Sequence, residues 1–192
     1  MADGCAYIDE SIRVQGDGEP TYYICATIIE MAEEDVRSLL WPIVKGKATK
    51  LHWSKMTRTE RRKSMEVISR LPTVNVVVMA LPLTSKRSER ARRLCLKEIL
   101  PVLENRYGVV RVVFESRTAA QDRRDLDMVN AMKSQKLLGK QMTAAFTRGA
   151  DDARVWIPDQ ILGALGDQHH ARVKNFKDFL GKCDTHIVAL DC

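Results

Sequence analysis

The spacing of apolar and polar positions changes several times along the chain, and each change marks an element. Residues 5–11, CAYIDES, alternate in the manner of a half-buried strand. Residues 21–29, TYYICATII, are rich in β-branched and aromatic side chains and read as a second strand. Gly16, Asp17, Gly18 and Pro20 mark a turn between them, so the two strands are predicted to form a hairpin. At 32–46 the period lengthens. Acids come first, then Val36, Leu39, Leu40 and Ile43 at helical spacing, which gives a helix ended or kinked near Pro42. Residues 47–56, KATKLHWSKM, follow no clear period. Residues 57–71 are helical again, with Thr57 or Thr59 as the cap. The run at 73–83, TVNVVVMALPL, is a strand so apolar that both of its faces must be covered.

The second half alternates helix and strand. A long helix over 88–108 is interrupted at Pro101 and stopped by Gly108. VVRVVFES at 109–116 is a strand, 117–139 a highly charged helix, and 142–148 a short strand. In the helix at 156–170, Pro158 takes the place of a first helical residue. The stretch at 173–192 gives an amphipathic segment and an edge strand. An early hairpin followed by this alternation predicts an α/β fold, a mixed sheet with helices packed on it. At 192 residues, 45% of them apolar, residues 1–192 are expected to form a single domain with its own core. No repeat, low-complexity segment or linker interrupts the chain.

The N-terminus lacks a basic segment followed by an apolar one, and no apolar run approaches the ~18 residues of a membrane span. A soluble, cytoplasmic protein without a membrane partner is expected. Five widely spaced cysteines (Cys5, Cys25, Cys95, Cys183, Cys192) without a C-x-x-C pair argue for reduced thiols. Cys183 and His186, with His169 and His170 upstream, have spacing too loose for a zinc site and read as ordinary residues. The net charge of +6 permits a polyanionic partner without demanding one. A phosphate loop, a dinucleotide-binding glycine motif, a G-x-S-x-G elbow and an H-E-x-x-H helix are all missing.

Acids in apolar settings carry the chemistry. Asp9 and Glu10 end the first strand, and alternation points them to opposite faces, Asp9 with Tyr7 and Glu10 with Ile8. Glu115 ends the strand at 109–116 and shares a face with Val113. Asp159 follows Pro158 in the first turn of a helix, where exposed N–H groups favour a carboxylate. Taken singly, each acid reads as a turn, ion-pair or helix-start residue. Together, two at strand ends and one at a helix start, Asp9, Glu115 and Asp159 suggest a shared Mg²⁺ or Mn²⁺ ion, since hard cations take such oxygen ligands. Ions held this way activate water and stabilise the leaving oxygen in phosphodiester cleavage.

YIDES at 7–11, KLHW at 50–53, VVFES at 112–116 and WIPDQILGAL at 156–165 occur in an order that resembles an uncharacterised bacterial family of ribonuclease H-like proteins. Its members open with an Asp-Glu-Ser strand, end with an Asp-containing helix, and are described as metal-dependent nucleases. The resemblance spans about Tyr7 to Leu165 and implies a ribonuclease H-like mixed sheet flanked by helices. It implies a catalytic set of Asp9, Glu10, Glu115 and Asp159, with Asp9, Glu115 and Asp159 holding Mg²⁺ or Mn²⁺. The further helical acid of such sites has no placed counterpart here, and Glu10 or His52 stands in for it.

His52 is expected to shuttle a proton or contact phosphate. Lys50 and Lys55 flank it, and Arg58, Arg61 and Arg62 form a basic face. Of these, Lys50, Lys55, Arg58 and Arg62 are the candidate contacts to a nucleic-acid backbone, RNA or DNA. Arg90, Arg93 and Lys97 form a second basic face. The expected function is divalent-metal-dependent hydrolysis of phosphodiester bonds in nucleic acid. Two alternatives stand beside it: a degenerate domain that binds nucleic acid or a protein without cutting, and a phosphoesterase acting on a small nucleotide.

Overall fold

The computed structural model describes residues 4–13, 20–81, 88–170, 176–181 and 184–191. Six strands form one mixed sheet: β1 (Gly4–Arg13), β2 (Thr21–Ile28), β3 (Val74–Leu81), β4 (Val109–Glu115), β5 (Thr143–Thr147) and β6 (Asp184–Asp191). Their order is β5-β4-β1-β2-β3-β6. β1, β2 and β3 run antiparallel in sequence, while β4 lies parallel to β1, β5 parallel to β4, and β6 parallel to β3. The hairpin, the alternation and the C-terminal edge strand are as expected. The glycine turn at 16–18 and Cys183 lie outside the described residues, as do the side chains of His169, His170 and His186.

Alternation along the strands divides the core. Tyr7, Tyr23, Cys25, Val77 and Val113 face one side. There they meet α1 (Glu33–Leu40), α2 (Arg58–Ile68) and α5 (Trp156–His170). Ile8, Ile24, Val76, Val78 and Phe114 face the other, against α3 (Ser88–Tyr107) and α4 (Ala119–Ser134). A short helix, α6 (Lys177–Leu180), precedes β6. Coverage of both faces explains the nearly continuous apolar character of β3.

Several local features match their sequence signals. α1 stops at Leu40 and gives way to a 3-10 turn over Trp41–Ile43 that contains Pro42. Gly108 ends α3 with φ +67°, the left-handed conformation a glycine adopts without a Cβ clash. Pro101, expected to interrupt α3, does not. Ile99, Leu100 and Leu103 are buried around it and carry the helix through. α5 starts at Trp156 after a 3-10 turn over Ala153–Val155, which puts Pro158 third rather than first. Proline is tolerated there because first-turn N–H groups have no intrahelical acceptor.

Thr57, not Thr59, caps α2. Its hydroxyl accepts from the Glu60 N–H, and the Glu60 carboxylate accepts from the Thr57 N–H at 2.7 Å. The Lys45 ammonium, then the Thr57 N–H, hold the Glu60 pKa down at about 2. Thr57→Ala is expected to cost about 1 kcal/mol in urea unfolding. The Glu60 contribution is present above its ordinary value of 4.5 and lost as pH falls through about 2. Urea unfolding midpoints of wild type and Glu60→Gln should therefore differ above about pH 4.5 and converge as pH falls through about 2.

Candidate active site

The register of β1 and β4 builds the site. Ile8 pairs with Phe114 on parallel strands. One step further along each strand come Asp9 and Glu115, on the face that packs against α5. Asp9 and Glu10, expected to end β1, lie inside it: the strand runs on to Arg13 because β2 still pairs with it there, and only the pairing with β4 stops at Ile8. Asp159, in the first turn of α5, completes the group from above. The three acids line a cleft of about 400 Å³ together with Lys50, His52 and Ser54.

Each acid is held differently. Asp9 accepts a hydrogen bond from the N–H of Glu10 at 2.7 Å and has no ion pair among the described residues. Burial raises its pKa well above 3.8, and the charges of Asp159 and Glu115 raise it further, while Lys50 and Arg92 offset this in part. Glu115 accepts from the Lys50 ammonium. Asp159 Oδ2 accepts from the Trp53 N–H at 2.8 Å and from Gln160 Nε2 at 2.9 Å. Its Oδ1 faces His52 Nδ1 at 3.2 Å. Gln160 is itself fixed by the Ser64 hydroxyl at 2.7 Å, so a buried polar relay from α2 sets the Asp159 rotamer.

The unassigned KLHW segment proves to be part of the site. Trp53 is fully buried, edge-on to Phe176 and stacked under the Arg61 guanidinium. Its indole N–H reaches Asp167 at 3.2 Å. This anchoring presents the Trp53 N–H and the His52 ring to Asp159. Gly163 of α5 makes room for it, since a Cβ there would fall inside the indole. Gly163→Ala is expected to cost about 3 kcal/mol by overpacking and to loosen the hold on Asp159, as read by denaturant unfolding.

Glu10 goes to the other face of β1, as alternation requires, into the half of the core that holds Ile8 and Tyr22. Its carboxylate accepts from the Tyr22 hydroxyl and pairs with Arg92 and Arg117. Arg92, 3% exposed, is bidentate to Asp125, which also pairs with Arg117 at 3.0 Å. Salt bridges therefore neutralise Glu10. Glu10, Arg92 and Arg117 line the same cleft.

The basic candidates separate. Lys50 sits on Glu115 inside the cleft rather than at a free surface. Arg61 folds back onto Asp167 at 2.8 Å. Lys55, Arg58 and Arg62 are exposed at and after the 3-10 turn Trp53–Lys55, outside the cleft wall. Arg90, Arg93 and Lys97 are exposed on α3.

The donor set suits a hard divalent cation in chemistry: three carboxylates on one wall, one of them destabilised by the other two. In spacing the site is open. Among the described residues no three His, Cys, Asp or Glu side chains stand close enough to hold a metal ion, and Glu115 is engaged by Lys50.

No protein-family model matches the chain, and no curated protein matches it in sequence. Solved structures do match in fold. Ribonuclease HII of Archaeoglobus fulgidus, in its complex with PCNA, shares 16% identity over 89% of this chain and 76% of its own, with a TM-score of 0.52. Ribonuclease H2 from Pyrococcus horikoshii OT3 shares 17% over 89% and 75%, with a TM-score of 0.56. The fold is ribonuclease H-like, a mixed sheet flanked by helices. Among the described residues no helix is long and apolar enough to cross a membrane.

Proposed function

We propose that the chain is a divalent-metal-dependent nuclease that hydrolyses phosphodiester bonds in RNA or DNA. The observation that carries this reading is the convergence of Asp9, Glu115 and Asp159, from two parallel strands and a helix start, on one cleft wall. The ribonuclease H-like fold and the names of its structural neighbours support the substrate class. The motif order YIDES, KLHW, VVFES and WIPDQILGAL keeps the chain beside the uncharacterised bacterial family with an Asp-Glu-Ser strand, and a cytoplasmic location goes with that reading.

Asp9, Glu115 and Asp159 would hold Mg²⁺ or Mn²⁺. Bound there, the ion would supply a polarised phosphoryl oxygen and an activated water. His52, with Nδ1 against Asp159, is placed to hold or move a proton at the cleft wall. Glu10 serves as a positioning residue, stiffening β1 just beyond its pairing with β4 through Arg92 and Arg117. Lys55, Arg58 and Arg62, exposed outside the cleft, would contact the phosphate backbone.

The test is cleavage of end-labelled RNA, DNA and RNA–DNA hybrid with Mg²⁺ or Mn²⁺, beside Asp159→Asn. Metal-dependent products from wild type and none from the variant are expected. A second reading, binding without cleavage, is favoured by the hold of Lys50 on Glu115 and by the missing fourth acid. Salt-dependent binding with no products would establish it instead. Products from mononucleotides but not from polymers would assign a small phosphate ester.

A further inference from the structure

Lys50 reaches the acidic wall from the segment before Trp53, and its ammonium sits on Glu115. Its charge also bears on Asp9, where it offsets in part the repulsion from Asp159 and Glu115. A dedicated slot receives the pair. A Cβ at Gly149, in the turn after β5, would lie 2.5 Å from Lys50 Cδ and 2.6 Å from Glu115 Oε1. The Gly149 carbonyl accepts from the Trp156 indole N–H, and Asp151 N–H closes the turn onto Arg148 O at 2.8 Å. The bare glycine therefore lets Lys50 lie down on Glu115.

This arrangement opposes metal ligation by Glu115. One of its two oxygens, Oε1, already accepts from the ammonium, and a dication beside that ammonium would be strongly repelled. Lysine is suited to giving way, with a flexible stem and a strongly hydrated head. About a third of the Lys50 side chain is already exposed, so it can reach water without unfolding.

We propose that Lys50 is a resident counter-cation that closes the acidic site in the metal-free protein and surrenders Glu115 when a divalent ion enters, its displacement setting the affinity of the site. The proposal rests on the metal-binding reading of Asp9, Glu115 and Asp159. Once off Glu115, the ammonium stands in the same cleft, available to a substrate phosphate. Metal and polyanion binding then reinforce each other, as linkage requires.

The experiment is calorimetric titration of Mn²⁺ into the full chain as wild type, Lys50→Met, Gly149→Ala and Asp159→Asn, each checked for folding by circular dichroism. Removing the competing charge is expected to tighten Mn²⁺ binding by about tenfold or more in Lys50→Met. Gly149→Ala keeps the lysine but fills its seat, is expected to act in the same direction, and decides the question should Lys50→Met not fold. Binding that appears only in these two variants would also support the proposal. Wild-type binding that Asp159→Asn abolishes, with no tightening in Lys50→Met, overturns the lysine proposal and leaves the metal reading standing. No binding in any of the four proteins overturns both.

Discussion

Asp9→Asn is expected to abolish divalent-ion binding and to make the metal-free protein more stable. Asp9 is placed by β1 between two other carboxylates, in a setting that burial alone makes unfavourable for a charge. It has no ion pair among the described residues to offset this. The amide is nearly the same shape, keeps an oxygen to accept the Glu10 N–H, and carries no charge to be repelled. A gain of about 1 kcal/mol in denaturant unfolding is the usual scale when a functional compromise is removed. Hydrolysis should fall on the order of 10³-fold or more, because the several kcal/mol that a metal contributes to transition-state charge stabilisation is lost. A variant that keeps its activity, or that unfolds more easily than wild type, would make Asp9 a structural residue.

Arg92→Met should have the largest effect on folding, about 3 kcal/mol or more. Arg92 and Asp125 are almost completely buried, and Arg92 also pairs with Glu10. Removing the guanidinium strands buried carboxylate charge, and breaking such a pair from one side typically costs ~3–5 kcal/mol. Arg117 still reaches Asp125 and Glu10, which places the expected cost towards the lower end. The double variant Arg92→Met with Asp125→Leu removes both charges and should recover most of the loss. Equal destabilisation of the single and double variants would show that packing, not charge, dominates at this position.

The fold was legible because strand alternation and helix periodicity are strong where one face is buried. The opposed directions of Asp9 and Glu10, and the shared face of Glu115 and Val113, follow from the two-residue repeat of a strand. They hold in the two halves of the core. Pro101 and Pro158 misled because a proline's effect depends on tertiary burial and on its distance from the helix start.

Much of the site lay in contacts that no local pattern specifies. The partners of Asp159 come from Trp53, Gln160 and His52, the first and last more than a hundred residues away. The hold of Lys50 on Glu115 depends on a turn glycine, Gly149, that carries no signal of its own. The Arg92–Asp125 pair did leave a trace. Arg92 precedes Cys95, Leu96 and Ile99 on the apolar stripe of α3, and Asp125 precedes Val129 and Met132 on that of α4. Two opposite charges on buried stripes imply that the stripes meet, a signal that the basic face of Arg90, Arg93 and Lys97 leaves out. The partners of Glu10 carry no local signal: its arginines come from α3 and from just beyond β4.

The most direct measurement is a crystal structure of the full chain soaked in Mn²⁺, with anomalous difference density collected at the metal edge. A peak within ligating distance of Asp9, Glu115 and Asp159, with the Lys50 ammonium moved off Glu115, is the expected result. Density elsewhere on the molecule, or none under conditions where Lys50 still holds Glu115, would contradict a shared metal site and with it the nuclease built upon it.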